Sequence, residues 1–435
     1  VNNKNSNTSV NPTKKRFGIL GLVFISVVIN YLDRSNISVA ATALSNELDL
    51  DKVKMGLIFS AFGWTYASLQ IPGGVIVDKI RARILYTLIL ILWSIATLLQ
   101  GLVSSFGALV GLRASIGVFE APSFPINNAI ATKWFPEEER ASAIAFYTSG
   151  QYIGLAFLTP LLAYIQSELG WRGLFIISGV IGVIWALIWY VFYRDPENHK
   201  GVNQSELNHI RQGEIVKKKE IKPFKWSDLK HAFIYKKLWG LYLGQFCLGS
   251  TFIFFLTWFP TYLQEQKGID LMKSGIMGSI PFLGAFLGVI ISGLLSDRLM
   301  KRGISKEIAR KAPVLTGLFL SSSIILANYT NSPELTIVFL TLAFFGTGFA
   351  SISWVFVSTI APKEHIGLVG GVFNLMGGLS AVIVPIVIGI LAKDGNFEPA
   401  LFFIGIIALI GFFAYVFLVG KVERIQIVSN ENENS

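Results

Sequence analysis

Apolar residues in this chain run in long blocks, not in the alternating or every-third-residue patterns of soluble strands and helices. Twelve blocks are long enough to cross a hydrocarbon core, which takes about 20 helical residues. They lie at residues 17–42, 55–77, 84–103, 106–133, 140–166, 173–193, 237–263, 274–296, 312–329, 335–361, 366–392 and 398–420. In lipid each backbone N–H and C=O must be bonded inside the protein, so the blocks predict helices. A polar connection rich in lysine, running from Arg194-Asp195-Pro196 through Lys217-Lys218-Lys219 to Lys236, divides six spans from six. The expected organisation is a disordered, Asn/Ser/Thr-rich cytoplasmic segment at 1–16, a six-helix bundle at 17–193, a linker at 194–236, a second bundle at 237–420 and a tail at 421–435.

Composition agrees with an integral membrane protein. The chain is 52% hydrophobic and 15% charged, where soluble domains carry about a quarter charged residues. Its net charge of +10 is distributed unevenly. The connections on the side of the N-terminus hold 29 of the 37 Lys and Arg against 6 on the other side, which places that side, with both termini, in the cytoplasm. Attraction to an anionic inner leaflet accounts for the excess, so no nucleic-acid partner is needed. The cluster Lys14-Lys15-Arg16 ahead of Phe17 is reminiscent of a secretory leader, but the apolar run is too long and Asp33-Arg34 interrupts it. Cys247 is the sole cysteine, and the four histidines fall in connections without metal-site spacing. No metal, cofactor or catalytic constellation is expected, so the chain reads as a non-enzyme.

Chemistry enters with four charges where hydrocarbon should be: Asp33 and Arg34 in the first span, Arg113 and Glu120 in the fourth. Charges at that depth face a protein interior or a watery cavity and mark ion or solute pathways. Arg113, Gly117 and Glu120 share a helix face, but the two charges stand about 10 Å apart along it and cannot pair with each other. Asp33 and Arg34 diverge by about 100° around their helix. The economical arrangement is cross-pairing, each acid against the base of the other helix. Protonating Asp33 or Glu120 would then free an arginine for a carboxylate ligand. In the second half the span centres carry neutral polar groups instead: Gln245, Trp258, Ser351, Ser353, Trp354 and Asn374. With Tyr31, Tyr66 and Gln151 they suit a polyol chain. For Gln245 and Trp258 an interhelical hydrogen bond is the better reading.

The halves share a repeat. Lys54-x-Gly56, Gly74 and Asp78-Lys79 recur at one constant offset as Lys273-x-Gly275, Gly293 and Asp297-Arg298. Two similar bundles about a midplane site are what alternating exposure of that site requires. Gly74-x-x-x-Asp78-Lys79-x-Arg81-x-Arg83, with Asp297 and Arg298, reads as a conformational latch at the cytoplasmic helix ends. This pattern resembles the major facilitator superfamily, with the departure that Arg81 and Lys301 stand where many members have glycine. Asn30-Tyr31-Leu32-Asp33-Arg34-Ser35-Asn36 and Arg113-x-x-x-Gly117-x-x-Glu120-Ala121-Pro122 resemble its anion:cation symporter branch. Phe62-Gly63-Trp64-Thr65-Tyr66, Gln70-Ile71-Pro72-Gly73-Gly74 and Tyr147-Thr148-Ser149-Gly150-Gln151 are similar to bacterial sugar-acid carriers of the glucarate, galactonate and hexuronate type.

The resemblance implies an all-α membrane protein of twelve transmembrane helices in two pseudo-symmetric bundles. It also implies proton-coupled import of a sugar-acid anion across the bacterial cytoplasmic membrane. Asp33 and Glu120 are the expected proton-coupling acids. Tyr31, Arg34, Tyr66, Arg113, Gln151, Ser351, Ser353 and Asn374 fall at the family's ligand-contact positions, and Trp354 joins them as an aromatic face. The expected partners are the anion, protons and the bilayer, with the monomer as the working unit. Another organic anion is the alternative substrate. A drug:proton antiporter ranks lower, because Gly150-x-x-x-Gly154 with only a later Pro160 is a poor match to the antiporter motif.

Overall fold

The structure, a computed structural model, describes residues 11–211, 229–362 and 365–426; the side chains of residues 71, 75, 78, 229 and 231 are outside that description. The lysine cluster at 217–219, most of the N-terminal segment expected to be disordered and the end of the tail therefore fall outside the described residues. In chain order the helices are α1 (Lys15–Leu48), α2 (Lys52–Lys79), α3 (Ala82–Gln100), α4 (Phe106–Glu120), α5 (Ser123–Trp134), α6 (Glu137–Phe192), α7 (Gln204–Ile210) and α8 (Leu229–Phe233). The second half continues with α9 (Lys236–Thr257), α10 (Phe259–Thr261), α11 (Leu271–Lys301), α12 (Lys306–Ser321), α13 (Pro333–Phe349), α14 (Trp354–Ile360), α15 (Ile366–Leu391) and α16 (Glu398–Ala414). Among the described residues, nine helical runs are long and apolar enough to cross a membrane by themselves.

The twelve apolar blocks map onto these helices with informative breaks. α6 carries two of them and turns at Gly170, whose φ of 68° is a conformation that glycine adopts without strain. The fourth block is divided: α4 stops at Glu120, and the Ala121-Pro122 step leads into α5. The tenth is interrupted by a 3-10 stretch at Ala350–Ser353.

The repeat seen in the sequence has a structural counterpart at both helix starts. Asp51 caps α2 by accepting the Lys54 N–H, and Asp270 caps α11 by accepting that of Lys273. Two residues further on, Gly56 lies against the Pro385 backbone of α15, and Gly275 lies against Ala163 and Thr159 of α6. These are equivalent positions in the two halves, and each small residue lets its helix cross closely to the opposite half. α2 on α15 and α11 on α6 are the principal contacts between the halves.

Those contacts run from the end of the molecule away from the chain termini as far as Gln70 of α2 and Asn374 of α15. Along this stretch Ser60 donates to the Val382 carbonyl at 2.8 Å and Lys52 pairs with Glu265, both across the halves, while the Trp258 indole N–H bonds Pro385 at 3.0 Å within the second half. The interhelical bond made by Trp258 is the role its sequence suggested. At the terminal end the same helices stand apart: a Cβ added at Gly74, Gly293, Gly367 or Gly371 would meet nothing within 4 Å. The central region therefore opens toward the end that carries the termini.

Candidate functional site

α1 and α4 bring the four buried charges to mid-span, and α2 sets Phe62 and Tyr66 beside them. Arg34 Nε donates to Glu120 Oε2 at 2.8 Å, the first of the two expected cross-pairs. The guanidinium rests over three rings, at 5.0 Å from Tyr31, 4.9 Å from Phe62 and 4.6 Å from Tyr66, which supply cation–π attraction where water is scarce. Phe62 and Tyr66 are stacked, and Arg113 lies 5.4 Å from Phe62. Gly117 makes this possible, since a Cβ there would collide with Thr65 and the Phe62 carbonyl of α2.

The second cross-pair does not form. Arg113 Nη1 donates to the backbone carbonyl of Asp33 at 3.1 Å, not to its carboxylate. Adjacent residues point about 100° apart on a helix. With Arg34 facing Glu120 and the rings, the Asp33 side chain is turned toward α3, beside Trp93 and Thr97. Both of its oxygens are buried and make no well-aligned hydrogen bond, Trp93 and Thr97 being the donors that face them. Arg34 Nη2, Arg113 Nε and Glu120 Oε1 are unpartnered as well, so donor capacity on both arginines is free.

Of the neutral residues, Tyr31 donates to Gln151 at 2.8 Å beside Arg34, and Asn374 Nδ2 donates to Gln70 Oε1 at 3.2 Å across the halves. Gln245 lies against Gly377, in keeping with a packing role. Tyr31, Arg34, Tyr66, Arg113 and Gln151 thus gather in one place, with Asn374 reaching the first half from α15. Ser353 departs from expectation: it is 1% exposed, and its hydroxyl lies by Tyr415, inside the second half. The 3-10 stretch resets the helical phase just there, turning Ser353 inward while Trp354, 49% exposed, leans on Phe373. Ser351 is half-buried on the same stretch.

The latch residues are not joined. Arg83 donates to the Tyr190 carbonyl at 2.9 Å and stacks on the Tyr190 ring, within its own half. Lys79, Asp297 and Arg298 are exposed and make no ion pair among the described residues; the Asp78 side chain lies outside them. Their separation follows from the parting of the helix ends that carry them. Sequence reasoning passed over Phe62, Gln70 and Asn30 as site residues. Phe62 and Gln70 stand in motifs already noted, and Asn30, whose amide makes no well-aligned hydrogen bond, faces Glu120.

Two bundles joined through α2, α6, α11 and α15 around a buried cluster of four charges, two of them paired, agree with a match to the profile of the Major Facilitator Superfamily over residues 23–306 and 304–433. The chain belongs to that superfamily. It is 49% identical to the D-galactonate transporter of Escherichia coli O6:H1, over 95% of this chain and 98% of that protein. It is 40% identical to the probable galactarate/D-glucarate transporter GarP of Escherichia coli strain K12, with 95% and 96% covered. A probable galactarate/D-glucarate transporter of Bacillus subtilis, GudP, is 38% identical over 97% and 95%. Among solved structures, the fold is similar to a bacterial homolog of the human lysosomal transporter Spinster in an inward-facing, occupied conformation. The TM-score is 0.74 at 20% identity, covering 92% of this chain and 96% of the other. A D-xylose-proton symporter gives 0.73 at 13%, covering 93% and 98%.

Proposed function

We propose that the protein is a proton-coupled symporter that imports a sugar-acid anion across the bacterial cytoplasmic membrane by alternating access. The observation that carries this reading is the state of Arg34: held by Glu120 on one side, backed by three aromatic rings, and left with an unpartnered Nη2. A carboxylate can displace Glu120 from that guanidinium once Glu120 is neutralised by a proton. Proton and anion then favour each other's binding. The uncompensated alternative, a buried arginine with neither partner, is strongly unfavourable.

In this reading the substrate carboxylate docks on Arg34 and Arg113, with Tyr31, Tyr66 and Gln151 around it. The hydroxyl chain reaches Asn374 and Gln70, then Ser351 and Trp354; Ser353 supports the stretch from behind. With the basic connections inside, the open terminal end is the cytoplasmic face, and deprotonation of Glu120 restores its pair with Arg34 and releases the anion. Closure of that face would bring Gly74, Asp78, Lys79 and Arg83 toward Asp297 and Arg298 of the opposite half. The names of the relatives at 38–49% identity support a sugar acid over other organic anions, and galactonate is the first to test.

Uptake of labelled galactonate into proteoliposomes, with and without an inward proton gradient, tests the reading directly. Gradient-dependent accumulation is expected, competed by unlabelled galactarate, glucarate or glucuronate in the order of their fit. Neither uptake nor exchange with any of the four would remove the substrate assignment.

A further inference from the structure

The seam between α1 and α3 holds a run of buried polar side chains that the anion site does not use. On α1, Asn30, Asp33 and Asn36 follow at i, i+3 and i+6, which puts them on one face. On α3, Trp93, Thr97 and Gln100 follow at i, i+4 and i+7, with Trp93 and Thr97 beside the Asp33 carboxylate. The second segment of α6 packs on both: a Cβ at Gly182 would meet the Ser94 hydroxyl and come within 3.9 Å of Asp33 Oδ2. All six side chains are at most 1% exposed. Both polar atoms of Asn36 and Gln100 lack a hydrogen-bond partner, while Trp93 and Thr97 face the Asp33 carboxylate as donors and Asn30 faces Glu120, without well-aligned bonds.

Leaving one buried polar group unpaired costs about 1–3 kcal/mol, so Asn36 and Gln100, at the closed-end limit of the seam, call for a shared partner that also completes the loose contacts at Asp33 and Asn30. The seam mixes N–H donors from Trp93 and the three amides with acceptor oxygens. Water satisfies both kinds, whereas a bare cation accepts only oxygen ligands. The seam also has a direction. Gln100 is the last residue of α3, next to the connection at the closed end, and Asn36 lies one turn beyond Asp33 toward that end. At its other limit Asn30 adjoins Glu120. The charged groups acting on Asp33 are Glu120 and Arg113, both from α4, while α3 and α6 present it with the neutral Trp93, Thr97 and Gly182.

We propose that this seam is a water-bearing path that brings protons to Asp33 from the closed, outer end, through the interior of the first half and not through the substrate cavity. The proposal rests on the proton-coupled reading above. A proton moves from water to the Asp33 carboxylate. It passes on through water ordered by Asn30 to Glu120 as the substrate carboxylate replaces Glu120 on Arg34, the two events being coupled. The Arg34–Glu120 ion pair is thus the check that keeps the path from leaking protons without substrate. Thr97 and Gln100 are positioning residues: they touch neither the substrate nor the reacting carboxylate of Glu120.

The test uses the full chain in proteoliposomes, with Thr97→Val, Gln100→Leu and the conservative Thr97→Ser. Two quantities are read: exchange of labelled for unlabelled galactonate at equal pH, which needs no net proton movement, and substrate-driven proton uptake followed with a trapped pH dye. Exchange within about twofold of the parent, with proton uptake slowed by about tenfold or more in the Val and Leu variants and restored in Thr97→Ser, is expected for a relay that has been dried out. Parent-like proton uptake in both apolar variants overturns the path and leaves symport standing. An equal fall in exchange and proton uptake also overturns it, since that is the signature of a packing role. A parent that moves no protons with substrate, or that is driven by sodium in their place, overturns both the path and the proton-coupled reading.

Discussion

Arg34 illustrates how much a single side chain depends on its surroundings for meaning. A guanidinium that donates from Nε to a carboxylate and is stacked on rings uses its planarity as well as its charge, which an ammonium cannot match. Arg34→Lys is therefore expected to raise the half-saturating galactonate concentration by about tenfold or more, the scale of one lost charge-assisted hydrogen bond. An unchanged value would show that the anion does not use this residue. Glu120→Gln keeps the shape and removes the titrating charge. Exchange should persist while accumulation driven by a proton gradient disappears, and accumulation by the Gln variant would take the coupling role from this acid. The importance of these residues was legible in the sequence, because a charge inside an apolar span is costly and marks a solute or ion pathway. Their pairing was legible only in part. Arg34 with Glu120 follows from helical geometry, but Arg113 choosing the main-chain carbonyl of Asp33 depends on how α1 is rotated against α3 and α4.

Among the elements, α7 has a part that no span pattern announced. This short helix folds back under the first half, and its Glu206, fully buried, accepts the backbone N–H groups of Lys15 and Arg16 at 3.1 Å each, at the start of α1. Arg16 bridges onward to Glu139 at the start of α6, which also meets His209 of α7. Burial alone would raise the Glu206 carboxyl, but its bonds from Thr13, Arg16 and Lys15 and the Arg16 charge outweigh that and hold it below the ordinary glutamate range. A depressed carboxylate contributes stability that is present above the unfolded value and lost as pH falls through the folded one. The melting temperature of the parent in detergent should thus fall on acidification below the ordinary glutamate range. Glu206→Gln should melt lower at neutral pH, by the equivalent of about 1–3 kcal/mol for a lost bond to a charged group, and lose less on acidification. Identical acid profiles would show that the clamp contributes nothing to stability. The sequence placed Glu206 in a polar linker and offered no sign that it would be buried.

For the molecule as a whole, the decisive feature is that the halves touch at one end and part at the other. Lys52 of α2 and Glu265, just after α10, tie the closed end across the halves. If that end must open during transport, the double variant Lys52→Cys/Glu265→Cys should lose galactonate uptake on oxidation and regain it on reduction. Cys247 is buried and offers no competing thiol at the surface. Full cross-linking with uptake unchanged would count against alternation at this end. By itself the sequence determined the twelve apolar blocks, the division into halves, the repeated Lys-x-Gly at the starts of α2 and α11, and the four intramembrane charges. Each of these is a local property, set by hydropathy, helical period or the cost of burying a charge. Tertiary structure alone decided which end is closed, that Asp33 faces α3 while Arg34 faces Glu120, that Ser353 turns inward, and that polar side chains line the α1–α3 seam. These depend on the rotation and approach of helices far apart in the chain, and small differences in packing, which no local pattern encodes, fix them.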